Sequence, residues 1–473
     1  MKKINNLLLL SIISLMWAIE FKPISQKPFD ISTSGIVYGR GIYMIVLPSE
    51  SSEYYLTLES AGGDFVKTKK TQGFDVEIVY LDQIDYAGDN PTAQELKEHI
   101  MNFKEGNPML EYVLLVGDVN GPYTIPTFTI NSYNEEDVDV TDYPYTFESD
   151  SYEAEFFIGR WPVRAVGDLL NIKARTIQYI TNDNLEYAGD LDIYDNALLV
   201  AGNYKTAEGV EVPPNQWPVT PVWTSLWLYD ELNEYGYAQI DTAFFHQGNY
   251  LTGEFNPLIE QVWNEGVGVI NYRGWGDANG WHKPYFHRAE VEDLSNGFKL
   301  PIVLSFVCNT GDFGNDYTGT GLPKCFGEVL VTAGSLNSPK GATAVVGPSD
   351  LDTDTRFNNV ICGVMWDGLL EQETPELAQA LHKGKQSLSY EFSGLAAPDG
   401  TVIDEFYHHV YGVLGDPSLP VTLEEPKELY VHEDELGNYQ LLETHIWINV
   451  SDDENPLGIN NVVGALLDED NNL

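Results

Sequence analysis

Basic side chains are scarce in this chain of 473 residues: Lys and Arg total 25 against 72 Asp and Glu, a formal net charge of −47. A surface that negative repels phosphate backbones and anionic headgroups, which argues against nucleic acid as a partner. Cysteine is rarer still. Cys308, Cys325 and Cys362 are the only three, so they cannot all pair within one chain and at least one thiol is free. Long apolar runs are missing: no stretch reaches the 18 or so residues of a membrane span, and Leu7–Ile19 stops at 13. Also absent are the H-E-x-x-H of zinc proteases, paired C-x-x-C, the G-x-S-x-G elbow of lipases and the Walker phosphate loop. There is no internal repeat and no low-complexity tract. An apolar fraction of 43% excludes a mainly disordered chain.

What is present is organised. Lys2 and Lys3 ahead of the short apolar run make residues 1–22 a signal peptide, and the remainder an exported protein, secreted or held at the cell surface. From Gly41 the chain alternates strand and helix patterns. Gly41–Leu47, Asp75–Tyr80, Glu111–Val116 and Phe156–Ile158 read as strands; Ser52–Gly62, Thr92–Phe103 and Leu169–Ile180 read as helices, the second with a Thr92 cap ahead of Glu95. The pattern restarts with strands at Asn196–Ala201, Tyr237–Phe244, Gly266–Tyr272, Leu300–Val307 and Gly341–Val346. Such alternation predicts two consecutive parallel-sheet α/β halves, 23–195 and 196–422. After Pro420 short strand patterns separated by acidic turns predict a partial Ig-like β-sandwich module over 423–473.

In a parallel sheet, reactive groups collect in loops past the carboxyl ends of strands. Cys308 stands there, followed by the turn-forming Asn309-Thr310-Gly311-Asp312-Phe313. The preceding strand runs into the loop NYRGWGDANGWH (271–282). If the two strands are parallel neighbours, the two loops face each other. A cysteine nucleophile needs a base or a positive environment. The loop offers His282, with His287 five residues on and Arg273 at its start, while the amides of Gly276 and Cys308 offer an oxyanion hole. Against this stands the plainer reading of Cys308 as a core cysteine and of His282 as a packed surface histidine. Asp350, Asp352 and Asp354 alternate as calcium ligands do, without the glycine and terminal Glu of an EF-hand loop.

Six segments together resemble the gingipain-type cysteine peptidases, whose catalytic part has a caspase-like α/β fold. They are YVLLVGD (112–118), FFIGR (156–160), INYRGWG (270–276), VCNTGDF (307–313), CFGEVL (325–330) and VLGDPSLPV (413–421). The resemblance implies an exported cysteine endopeptidase acting on protein or peptide substrates, with Cys308 at the nucleophile position. Its chemistry needs no cofactor, and structural calcium is expected from the family and the acidity. The pattern breaks at the base, because the family's Tyr-x-Gly-His-Gly histidine is Trp275 here, and an indole cannot accept a thiol proton. The acid partner expected after Asn196–Ala201 is not obvious, Glu208 being the nearest. Two readings follow. Either His282 serves as base from farther along the loop, or the site is dead and the fold serves binding or adhesion, with Trp275, Trp281 and Tyr285 packed over Cys308. Sortase-like transpeptidation shares the acyl-enzyme half of the first reading.

Overall fold

The computed structural model describes residues 40–84, 91–133, 138–148, 152–202, 221–245, 256–314, 323–371, 374–427, 430–431 and 450–451, all within the compact unit Gly35–Leu473. The signal-peptide segment, Glu208 and most of the Ig-like segment lie outside the described residues. Of the latter, Tyr430–Val431 pairs antiparallel with Val450–Ser451.

Ten strands form one sheet: β1 (Gly41–Leu47), β2 (Phe74–Tyr80), β3 (Leu110–Val116), β4 (Phe157–Trp161), β5 (Asn196–Gly202), β6 (Gln239–Phe245), β7 (Val269–Arg273), β8 (Ile302–Phe306), β9 (Ala344–Pro348) and β10 (Tyr411–Leu414). Their spatial order is β2-β1-β3-β4-β10-β9-β8-β7-β5-β6. Both anticipated halves are visible in it. Neighbours among β1–β4 are parallel, and so are neighbours among β5–β9. Strand β10 returns between them, antiparallel to β9 and parallel to β4, so the halves run in opposite directions. Strand β3 is buried at every position, as a continuous apolar run covered on both faces must be.

The helices that matter below are α1 (Phe65–Thr71), α2 (Ala93–Gly106), α3 (Val166–Thr181), α4 (Pro221–Tyr235), α5 (Asn256–Glu265), α6 (Phe326–Thr332), α7 (Thr355–Leu370), α8 (Leu377–Glu391) and α9 (Ile403–Val410). Helix α2 begins with the capping box read from Thr92 and Glu95. The expected helix over 52–62 is instead a 3-10 segment, Glu50–Leu56. It ends where Thr57 becomes extended (φ −96°, ψ 174°), and Gly62 and Gly63 follow at positive φ. Strand β10 has no sequence signature of its own, being four residues pressed between α9 and a turn.

The seam between the halves is narrow. Strands β4 and β10 share one paired position, Leu414 with Arg160, extended by Gly415 N–H donating to Arg160 O at 2.9 Å. A Cβ on Gly159 would lie 2.7 Å from Gly415 O, and one on Gly415, at φ 152°, would lie 2.5 Å from Ala344 Cβ, so both positions require glycine. The next residue, Asp416, anchors the seam. Its carboxylate pairs with the fully buried Lys69 of α1 and accepts from Tyr43 OH (2.8 Å), Ser418 N–H (3.0 Å) and Ser418 Oγ (3.1 Å). Burial pushes the Lys69 ammonium down from its usual range, and the attraction of Asp416 works against that. The Gly-Asp-Pro-Ser-Leu segment is therefore structural: it ties the last strand to the first half.

Replacing Asp416 with Ala strands a buried ammonium, a loss of about 3–5 kcal/mol. Chemical denaturation is expected to show a correspondingly lower midpoint for Asp416→Ala. Most of the loss should return in the double variant Asp416→Ala, Lys69→Met, since the unpaired charge is then gone.

Candidate active site

Strands β7 and β8 pair in parallel, with Tyr272 opposite Ser305 and Arg273 opposite Phe306. Their carboxyl ends therefore share one edge, which places the loop after Arg273 beside the loop after Phe306. Cys308 is the second residue past β8 and is partly exposed at that edge. The chain turns sharply there: Asn309 sits at φ 55°, a left-handed conformation that a short amide side chain tolerates. The turn is held by Asn309 N–H to Asp350 O (2.7 Å), Asn309 Nδ2 to Ser349 O (2.7 Å) and Gly311 N–H to Pro348 O (2.8 Å). Thr310 Oγ1 donates to Ser305 Oγ at 3.0 Å, closing the turn on its own strand. Phe313, at the end of the motif, stacks under the guanidinium of Arg160 at 4.9 Å.

The facing loop is a small three-stranded meander of Gly276–Asp277, Gly280–His282 and Tyr285–His287. Trp281 fixes it. Its ring is fully buried, stacked on Tyr272 at 4.5 Å, and its indole N–H donates to Ser305 Oγ at 3.0 Å. A Cβ on Gly276 would stand 3.5 Å from Val307 Cγ1, so this backbone runs in contact with the residue before Cys308. In the hairpin, His282 N–H donates to Trp275 O (2.8 Å). Bonded and non-bonded rungs alternate, so the next rung, Gly276–Trp281, is a non-bonded one and leaves the Gly276 N–H outside the ladder. The Cys308 N–H likewise has no hydrogen-bond partner among the described residues. Two amides in the facing loops thus have no partner among the described residues.

The imidazoles form a chain. Asn279 Nδ2 donates to His287 Nδ1 (2.8 Å), so His287 carries its proton on Nε2 and donates to His282 Nδ1 (2.9 Å). His282 then carries its own proton on Nε2, facing Asp277 Oδ2 at 3.1 Å. Burial, with His282 nearby, lowers His287 to about 4, so it is neutral near pH 7. Burial alone would raise Asp277, but the bonds from His282 and from Asn279 N–H hold its carboxyl below the usual range. The basic atom of His282 is therefore Nδ1, and at rest it takes the proton donor of His287.

Cys308 is held from the other side. Its thiol donates to Thr353 O (3.8 Å), and Thr353 Oγ1 donates to the sulfur (3.7 Å). Thr353 Oγ1 accepts from Asn358 Nδ2 (2.9 Å), and Asn358 Oδ1 accepts from Tyr411 OH (2.8 Å). A buried chain Tyr411–Asn358–Thr353 thus aims a hydroxyl proton at the sulfur. Burial nevertheless pushes the thiol up to about 11; the Thr353 bond opposes this, and the nearby Asp350 and Asp352 add to it. Cys308 rests as a thiol.

Of the residues singled out in the sequence, Cys308 and Gly276 lie in the loops that follow the parallel strands β8 and β7, with Gly276 against Val307. His282 does not touch Cys308 among the described residues; its ring nitrogens go to His287 and Asp277. Trp281 packs inward on Trp263, Phe286 and Phe326, while Trp275 is 46% exposed and Tyr285 38%. The three aromatics therefore do not gather into one plug over the cysteine. Asp350 accepts from Ser132 (3.0 Å), Asp352 N–H donates to Asp350 (3.2 Å), and Asp354 caps α7 and pairs with Arg356 (3.2 Å). No three His, Cys, Asp or Glu side chains among the described residues are grouped to hold a metal ion, so these acids do not fit calcium. Sequence reasoning missed Asp277 and the chain from Tyr411 to Thr353, because the latter joins residues from β10, α7 and a loop.

Residues 39–422 match the family model for Peptidase family C25. Among curated proteins, gingipain R2 of Porphyromonas gingivalis is 26% identical over 384 residues, which cover 78% of this chain and 45% of that protein. Gingipain R1 of the same organism is 27% identical over 308 residues, covering 63% of this chain and 28% of the other. The chain spans less than half the length of these relatives. A crystal structure of the Arg specific cysteine proteinase gingipain R superposes with a TM-score of 0.69 at 22% identity, covering 87% of this chain and 84% of that one. At that identity the likeness shows the fold.

Only the thiolate is alkylated at a useful rate. Iodoacetamide modification of Cys308 is therefore expected to rise about tenfold per unit between about pH 7 and pH 9, with no plateau below about pH 10. Thr353→Val removes the hydroxyl donor and slows the reaction further. A plateau near pH 8 in the unmodified protein would show an activated thiolate that this geometry does not provide.

Proposed function

The chain belongs to peptidase family C25, and from that premise we propose that it is an exported cysteine endopeptidase that cleaves peptide bonds through a Cys308 acyl-enzyme. The observation that carries the proposal is the nucleophile turn. A partly exposed thiol at the carboxyl end of β8 precedes a left-handed residue, with its own N–H and that of Gly276 free of other bonds among the described residues. A core cysteine has no use for such a turn.

In this mechanism the sulfur of Cys308 bonds to the scissile carbonyl carbon and its proton passes to His282 Nδ1. The oxyanion takes the two free N–H groups. As the C–N bond breaks, the imidazolium returns the proton to the leaving amine, and water, deprotonated in turn, hydrolyses the thioester. Substitution of an amine for that water gives transpeptidation, with the same first half. Because the thiol is protonated at rest, proton transfer accompanies attack rather than preceding it.

His282 is suited to the role by hairpin geometry. Position 275, where the family places its histidine, is directly opposite His282 on the antiparallel rung. Cross-strand partners project from the same face with Cβ atoms about 4.5–5.5 Å apart. The imidazole has in effect moved one strand across, and the Trp275 ring meets it edge-on at 5.9 Å. To work, His282 Nδ1 must exchange the His287 proton for that of the thiol, a change that substrate binding would drive. The net charge of −47 favours substrates with basic side chains through long-range attraction, an effect that salt weakens.

A second reading rests on one observation: both nitrogens of His282 are already engaged, and an indole occupies the family's histidine position. On that reading the fold binds or scaffolds without catalysis. A peptidyl electrophile separates the two. On the peptidase reading it labels the mature protein, labelling disappears in Cys308→Ala and falls at least about 100-fold in His282→Ala, a typical loss for a general base. Trp275→His should accelerate labelling by restoring the imidazole to its family position. Absence of labelling in the folded parent, with gain only in Trp275→His, would replace catalysis with binding.

A further inference from the structure

Three guanidinium groups are wholly buried, those of Arg160, Arg175 and Arg273, and they are treated differently. Arg160 faces the Asp142 carboxylate with two bonds of 2.7 Å. Arg175 has no carboxylate but is caged by the carbonyls of Leu330, Ala333, Lys340 and Ala342 and by Asn171 Oδ1, at 2.7–3.1 Å. Arg273 has neither. Its acceptors are Phe306 O, Thr355 O (3.2 Å) and Asn359 Oδ1, and it makes no ion pair with a carboxylate among the described residues. A guanidinium cannot shed its proton to relieve burial, as a lysine can. Its charge persists in the core, so an anion that forms beside it is favoured.

The groups around Arg273 indicate which anion. It ends β7 opposite Phe306, two residues before Cys308. It bonds Thr355 O, while the Cys308 sulfur bonds Thr353, so both dock on the same few residues ahead of α7. The titratable groups that interact with it are Cys362, Tyr411, Cys308 and Tyr272. Of these Cys362 is fully buried, while Cys308 is the one at the open edge of the sheet. Facing Cys308 itself are Asp350 and Asp352, both of which oppose its ionisation.

We propose that Arg273 is the resident counter-charge of the Cys308 thiolate, offsetting Asp350 and Asp352 so that the sulfur can ionise when its proton is taken. This deepens the peptidase reading and rests on it for the use made of the thiolate. The residue acts through the sulfur and is a positioning residue rather than a catalytic one. Its natural alternative is a purely structural clamp like Arg175, holding β7, β8 and α7 together.

The test is the second-order rate of iodoacetamide alkylation at pH 8, read by mass on the peptide that carries Cys308. Arg273→Gln keeps amide donors and removes the charge; Arg273→Lys keeps a charge. The proposal expects Arg273→Gln to react about tenfold more slowly, the equivalent of one pKa unit, with Arg273→Lys within about threefold of the parent. A folded Arg273→Gln with the parental rate would overturn it. If that variant does not fold, Asn359→Asp supplies the guanidinium with a carboxylate at an acceptor it already uses. Slower alkylation there upholds the proposal and an unchanged rate rejects it. The measurement needs no peptidase activity, so loss of electrophile labelling in the parent would sink the function above while leaving this result readable.

Discussion

Strand β10 can lie between two halves that run in opposite directions only because its exit is pinned. Four residues of strand offer one paired position to β4, too little to hold two sheets in register. The deficit is made up by Asp416, whose carboxylate collects a buried ammonium, a phenol and a serine from three parts of the chain. A charge pair buried this completely contributes little net stability relative to apolar packing. What it supplies is position, since neither partner can move without stranding the other. Everything at the edge where Cys308 stands inherits its alignment from that seam, because β10 registers β9, and β9 registers β8.

The same burial that gives the site its precision sets its chemical problem. Low dielectric around Cys308 and two neighbouring aspartates oppose a thiolate. Of the neighbouring groups, the Thr353 hydroxyl donates to the sulfur and opposes this, while the buried Arg273 guanidinium bonds Phe306 O and the imidazoles bond one another across the strand from an indole. None of these alone activates the sulfur. In this setting the sulfur rests as a neutral thiol.

Much of the fold is legible in the chain. Nine of the ten sheet strands follow from apolar runs of strand length, and the capping box of α2 is written in Thr92 and Glu95. That Cys308 stands just past the carboxyl end of a sheet strand follows from the apolar run before it. The Ser52–Gly62 segment misleads because local periodicity does not show that the chain turns extended at Thr57 after one short 3-10 segment. Strand β10 is invisible because four residues carry no period. His282 is legible as a candidate but not as a partner, since whether a ring nitrogen meets Cys308, His287 or Asp277 depends on side-chain direction within one hairpin.

The sequence by itself determined the alternating α/β pattern, the strand-end place of Cys308 and the indole at position 275, because each of these is written in contiguous residues. Only the tertiary structure decided what surrounds the sulfur. Thr353, Asn358, Tyr411, Asp350 and Arg273 come from four separate segments, and the electrostatics they impose falls off over a few ångströms. Proximity on that scale between residues up to 138 positions apart is a property of the packed sheet, and no local pattern in the chain encodes it.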